Sequence, residues 1–151
     1  MKLLLQRVSH ASVSVDGEVV GSIGRGLVVL VGVASGDGKD DVSYLAGKTV
    51  GLRIFPDEGG KFNLSALDIG VELLIVSQFT LLADTRRGRR PSFTGAAPPA
   101  QAEEIFQQFV AACTATGLRV ATGRFQKQMQ LEIHNDGPVT IMLDSREKIS
   151  S

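Results

Sequence analysis

Two stretches of this chain are too apolar to lie at a surface. Leu27–Val33 is almost wholly aliphatic, and Glu72–Val76 continues from its glutamate as Leu-Leu-Ile-Val. A strand with one wet face alternates polar and apolar residues, whereas a run without alternation needs cover on both faces. The fold must therefore be layered, with a sheet at its centre. At 151 residues the chain has enough length for one domain with its own core.

The remaining patterns supply the layers. Residues 1–34 read as β structure, with Val8, Ala11, Val13 and Val15 alternating with polar partners. Asp16-Gly17 is a two-residue hairpin signal leading into Glu18–Ile23. Gly24-Arg25-Gly26 precedes a strand and opens no helix, so it reads as a turn and not as a phosphate loop. Val42, Leu45, Ala46 and Thr49 share one helical face, which predicts a helix over 39–50 with Asp40 and Asp41 at its positive end. Leu52–Phe55 reads as a short strand ended by the turn Pro56–Gly60. Ala100–Gly117 is the clearest helix, with Ile105, Phe106, Phe109, Val110 and Cys113 as its stripe. Leu118–Phe125, Met129–His134 and Val139–Leu143 complete the strands, and a polar tail from Ser145 to Ser151 is expected to fray.

Charge and cysteine content narrow the setting. Sixteen basic and sixteen acidic residues cancel, so no global field recruits nucleic acid or an anionic membrane, and any RNA contact must be local. No apolar run approaches the roughly 20 residues of a membrane span, and Met1–Arg7 reads as a first strand, not a signal peptide. The single Cys113 has no partner for an internal disulfide, which suits a reducing cytoplasm. A cytoplasmic domain with no membrane partner is the expectation.

Standard catalytic sets are missing. His10 and His134 lack metal-ligand spacing, no serine sits in an elbow motif, and no P-loop is present, so neither metal nor cofactor is expected. Three features stand above this background. Ser77-Gln78-Phe79-Thr80 places polar side chains at the end of a buried strand, where α/β folds build ligand sites; the alternative is a strand that simply continues. Arg86, Arg87, Arg89 and Arg90 crowd a loop running from Ala83 to Pro99, and either contact phosphates or are solvated. Asn135-Asp136-Gly137-Pro138 lies between two alternating segments, and its turn chemistry predicts a hairpin, although proline offers no N–H to a ladder.

These residues, taken in order, resemble D-aminoacyl-tRNA deacylases. The matching stretches are Gln6-Arg7-Val8 with Ala11–Val15, Leu52–Phe55 with Lys61–Ser65, Ser77–Leu81, Arg89–Phe93, Thr122–Phe125, Met129-Gln130 and Asn135–Thr140. The resemblance implies a three-layer α/β/β single domain spanning 1–151, with mixed, largely antiparallel sheets and two main helices, dimerising through the β structure. It implies hydrolysis of the ester of D-aminoacyl-tRNA, and of mischarged glycyl-tRNA, with L-aminoacyl-tRNA rejected. In such a site Gln78, Phe79 and Thr80 would be catalytic, and Ser77 would help hold the 3′-terminal adenosine. Gly137-Pro138, joined by a cis bond and followed by Val139, would enter the pocket of the other subunit as the chirality filter. Arg7 would brace that loop, with Ala112, Phe125 and Met129 around the substrate end. Gln126-Lys127-Gln128 departs from the family's usual small or acidic residues, and His134 from its usual aliphatic.

With no general base evident, the expected mechanism is positioning plus oxyanion stabilisation, with the substrate's ribose 2′-hydroxyl assisting water. Thr80 as a nucleophile is the rival. A non-catalytic RNA-end-binding module and an esterase of a different substrate range are the alternatives from other classes. Turnover of D-Tyr-tRNA, and activity on simple esters, would separate them.

Overall fold

The strand β1 (Lys2–Val15) is the axis of the molecule. Its 14 residues are long enough to take three antiparallel partners. Along one edge its first half pairs with β3 (Gly26–Gly32) and its second half with β2 (Glu18–Ile23). Its other edge is taken by β8 (Gln130–Asp144). Beyond β3 lie β6 (Glu72–Ser77) and β7 (Val120–Thr122), both added in parallel. The end strands β2 and β7 then approach one another, so the sheet curls almost into a barrel. A Cβ on Gly21 of β2 would lie only 2.6 Å from the Thr122 carbonyl of β7. The short ribbon β4 (Phe55–Pro56) with β5 (Phe62–Leu64) stands apart from this sheet. The computed structural model describes residues 1–149; Ser150 and Ser151, at the end of the polar tail, lie outside them.

The two apolar runs are covered on both faces, as their composition demands. Leu27, Val29 and Val31 of β3, with Leu73 and Ile75 of β6, face a layer made by α1 (Lys39–Gly51) and α3 (Pro99–Thr114). Val28, Leu74 and Val76 face the opposite way, into the curl with Val8, Ala11 and Val13. Each helix is started by local chemistry. The Asp41 carboxylate accepts the Gly38 N–H at 2.9 Å at the head of α1, and Pro99 opens α3 where no N–H is needed. Burial of Ile105, Phe106, Phe109 and Cys113 docks α3, at about 2 kcal/mol for each of the larger side chains. A one-turn helix α2 (Ala66–Ile69), capped by Ser65, completes the chain's helices among the described residues.

The mixed, largely antiparallel sheet with two main helices agrees with what the resemblance implied. Several boundaries read from the sequence pattern differ in the structure. Leu52–Ile54 forms no strand, because the Leu52 N–H ends α1 on Lys48 O and the Ile54 N–H turns back to Leu52 O. Helix α3 stops at Thr114, where the chain unwinds through Gly117 at φ +91°. Leu118–Phe125 pairs only over 120–122. The tail is tied down at its start: Ser145 is buried, donates its hydroxyl to Asp41 at 2.6 Å, and opens a 3-10 turn ending at Glu147. The largest difference is at Asn135–Pro138, which is no hairpin. Its flanks form one strand, β8, paired to β1 on both sides of the tetrapeptide. Asn135 pairs with Val8 and Thr140 with Gln6, so the four residues Asp136–Val139 stand opposite the single residue Arg7 and bulge out.

Candidate active site

The first half of the site grows from the end of β6. Ser77 closes the strand, and the Gln78 N–H makes a last bond to Val31 O of β3 at 2.7 Å. The chain then tightens into a 3-10 turn over Phe79–Leu82, with Leu81 N–H bonded to Gln78 O and Ala83 N–H to Thr80 O. A helical turn leaves its first N–H groups without internal acceptors. Those of Phe79 and Thr80 find none among the described residues. The Gln78 N–H is already spent, so Phe79 and Thr80 supply the free donors. The Gln78 side-chain amide donates to the Thr80 hydroxyl.

A cavity of about 760 Å³ opens over this turn. Ser77, Gln78 and Phe79 form one side; Pro98, Pro99 and Ala102 at the head of α3 form another; Phe125–Met129 form a third. The long loop from Ala83 to Pro98 contributes Phe93, which meets Phe79 edge to face at 5.0 Å. That loop is anchored at both ends. Asp84 and Ser92 exchange backbone hydrogen bonds at 2.7 and 2.9 Å, and the Ala97 N–H bonds to Val33 O. The Arg86 guanidinium donates twice to the Asp84 carboxylate and holds its pKa down at about 2. Arg87, Arg89 and Arg90 remain exposed at the loop tip. Met129 is fixed in the cavity wall, its Sδ accepting the Arg124 N–H at 3.4 Å. That N–H, and the Arg124 carbonyl that accepts from Lys127, are thereby withheld from any strand.

The second half of the site is the bulge of β8. Arg7, 8% exposed, sends its guanidinium beneath it, donating from Nε to Asp136 O at 3.0 Å and from Nη1 to Ile54 O at 2.7 Å. The Phe62 ring lies 5.3 Å from its guanidinium carbon. The Asn135 side chain closes the bulge as a backbone partner would: its Oδ1 accepts the Val139 N–H at 2.8 Å, and its Nδ2 donates to Val139 O at 3.2 Å. Gly137 has φ +141°, and a Cβ there would meet Val139 N at 3.0 Å and Arg7 Nη2 at 3.3 Å, so only glycine fits without strain. The Gly137–Pro138 bond is cis, and both residues are exposed while Val139 is buried below them.

The expected site residues thus separate into two groups. Ser77, Gln78, Phe79, Phe125 and Met129 line the cavity, with Thr80 beside them on the turn. Arg7, Gly137, Pro138 and Val139 form the bulge, and none of them lines that cavity. Ala112 sits on α3, packed toward the core. Phe93, the Pro98-Pro99 step and the Asn135 clamp were not among the expected site residues, although Phe93 and Asn135 lie in stretches that carry the resemblance. For the Pro98-Pro99 step, only the unusual length of the loop gave a signal.

The chemistry available is that of donors and shape. Lys127 is the sole ionisable side chain lining the cavity among the described residues. No group of three or more His, Cys, Asp or Glu side chains among them could hold a metal ion. His10 and His134 stack on each other at 3.7 Å on β1 and β8. Burial pushes the Cys113 thiol up to about 12, which removes it as a nucleophile. No helix among the described residues is long and apolar enough to cross a membrane.

The chain is similar to known proteins along nearly its whole length. The family model described as D-Tyr-tRNA(Tyr) deacylase matches residues 4–144. A D-aminoacyl-tRNA deacylase of Dehalococcoides mccartyi is 58% identical over 99% of this chain and 98% of its own. One from Thermosipho africanus is 54% identical over 97% of this chain and 99% of its own. Among solved structures, the c-Myc DNA unwinding element binding protein superposes with a TM-score of 0.90 at 41% identity, covering 95% of this chain and 98% of that one. A probable eukaryotic D-amino acid tRNA deacylase gives 0.82 at 19% identity, over 94% and 97%, a likeness of fold.

Proposed function

The chain belongs to the D-Tyr-tRNA(Tyr) deacylase family and hydrolyses the ester of D-aminoacyl-tRNA, and we propose the following account of how its residues do so. The aminoacyl ester lies in the cavity over the Phe79–Leu82 turn, with the 3′-terminal adenosine held by Ser77 and its neighbours. The N–H groups of Phe79 and Thr80 receive the carbonyl oxygen as it becomes an oxyanion. A single donor of this kind contributes about 3–4 kcal/mol to a transition state. An aminoacyl ester is already activated, so two donors and a positioned water suffice, and the ribose 2′-hydroxyl of the substrate assists that water. Phe125, Met129 and Ala112 shape the substrate end.

Chirality is set by exclusion. Gly137 and Pro138 are exposed and do not line their own chain's cavity, and they serve the cavity of a second copy in a homodimer. Their main-chain groups bind the substrate's amino group and fill the space an L side chain would need. Glycine has nothing to exclude, so glycyl-tRNA is also cleared. Arg87, Arg89 and Arg90 with Lys127 contact acceptor-end phosphates, which makes binding salt-dependent. The work is done in the cytoplasm, where tRNA is charged.

The observation that carries this reading is a turn whose Phe79 and Thr80 N–H groups find no acceptor among the described residues, beside a cavity lined by no side chain fit to act as a general base. Thr80→Val keeps the N–H and removes the hydroxyl. It should hydrolyse D-Tyr-tRNA within about threefold of wild type, while a substrate ending in 2′-deoxyadenosine should lose about 100-fold or more. Abolished turnover in Thr80→Val with normal tRNA binding would establish the hydroxyl as nucleophile and defeat the proposal.

A further inference from the structure

We infer that Gly32 is a positioning residue: its missing side chain lets the Gln78–Leu82 turn seat on β3, and so aims the Phe79 and Thr80 N–H groups into the cavity. The inference rests on the reading of that turn as the carbonyl cradle. Gly32 is buried at the end of β3, between Val31, whose carbonyl takes the Gln78 N–H, and Val33, which lines the cavity. A Cβ at Gly32 would lie 2.5 Å from Leu82 Cδ2, 3.0 Å from Leu81 Cβ and 3.2 Å from Gln78 O. Leu82 ends in a flexible group, but it is itself buried and has little space to turn. The other two atoms belong to the turn's own frame and move only with it.

Backbone torsion is not the reason for glycine here, since Gly32 is not among the glycines with positive φ. Space alone excludes a side chain. The same is true of Gly26, where a Cβ would fall 1.8 Å from Glu72 O, but that glycine lets strand approach strand at the far end of β6. Gly32 lies under the turn that does the chemistry. Oxyanion donors act over a window of about 2.7–3.1 Å, and a displacement of about 1 Å can lower a rate about 100-fold.

The test is Gly32→Ala, assayed on D-Tyr-tRNA for kcat and KM separately, with the amide ¹H–¹⁵N resonances of Gln78, Phe79 and Thr80 recorded on the same protein. The expected result is a kcat lowered by about 10- to 100-fold, a KM within about threefold, and all three amides shifted. Leu45→Ala, a core truncation on α1, serves as the destabilised control and should keep its kcat below its melting range. Amides that stay in place in Gly32→Ala would overturn the inference whatever the rate. Shifted amides with an unchanged kcat would overturn instead the cradle reading, and the positioning role with it. If Gly32→Ala does not fold, Gly32→Ala/Leu82→Ala removes the nearest contact and is judged by the same two measurements.

Discussion

The cradle and the bulge are held by opposite means. The Phe79–Leu82 turn is placed by main chain: Gln78 N–H on Val31 O, two bonds internal to the turn, and a glycine beneath it. The bulge at Asp136–Val139 is placed by side chains: the Arg7 guanidinium on Asp136 O and the Asn135 amide on both polar groups of Val139. A device made of backbone tolerates side-chain change and fails only where the backbone itself must move. A device hung on two side chains fails with either of them.

The sharpest break of this contrast is Arg7→Ala. It strands Asp136 O and the buried Ile54 O without their charged donor, and hydrogen bonds to charged groups contribute about 1.5–3 kcal/mol each. Unfolding in urea should show a loss of about 3 kcal/mol, and D-Tyr-tRNA turnover should fall by more than about 100-fold. Arg7→Lys should recover little, since an ammonium cannot span two carbonyls as the guanidinium fork does. A variant at wild-type activity would mean the bulge needs no brace. Asn135→Ala should have a smaller effect, about 1–2 kcal/mol, and should act on selectivity first. The ratio of D-Tyr-tRNA to L-Tyr-tRNA hydrolysis should drop by about tenfold, and an unaltered ratio would separate the clamp from the filter.

The smallest effect lies beside the cradle. Arg86 holds Asp84 at about 2, from an ordinary value of 3.8. A depressed carboxylate supports the fold fully above its unfolded pKa and loses that support as pH falls through its folded one. The Asp84–Arg86 pair should therefore be unchanged from about pH 8 down to about pH 4, and open only as pH approaches about 2. The Arg86 Nε–H resonance reports this directly, and its loss near pH 5 would show the loop base to be less firmly anchored than its hydrogen bonds suggest.

How much of this could be read beforehand depends on whether the information was local. The unalternating Leu27–Val33 and the stripe of α3 declared their burial, because period and composition are local properties. Ser77–Thr80 declared itself by following a buried strand. Asn135–Pro138 misled, since the residues that favour a hairpin also favour a bulge. What decides between them is the pairing of Val8 and Gln6, some 130 residues away in the chain. Phe93 and Gln126–Gln128 reach the cavity from segments without period, and no local rule could have aimed them there. Nor could sequence tell that the Gln78 N–H is spent on Val31 O, which leaves the N–H groups of Phe79 and Thr80 as the ones without acceptors among the described residues.

In the proposed homodimer the cradle of one copy works with the bulge of another, because Gly137 and Pro138 stand exposed and outside their own chain's cavity. Phe79→Pro removes a donor from the cradle, and Gly137→Ala puts a Cβ where φ is +141° in the bulge. Each alone should be inactive. Unfolded and refolded together in equal amounts, half the dimers are mixed and each mixed dimer carries one intact site, so about a quarter of wild-type deacylation should return. If each cavity used its own chain's bulge, every site would keep one defect, and the mixture would stay as inactive as its parts.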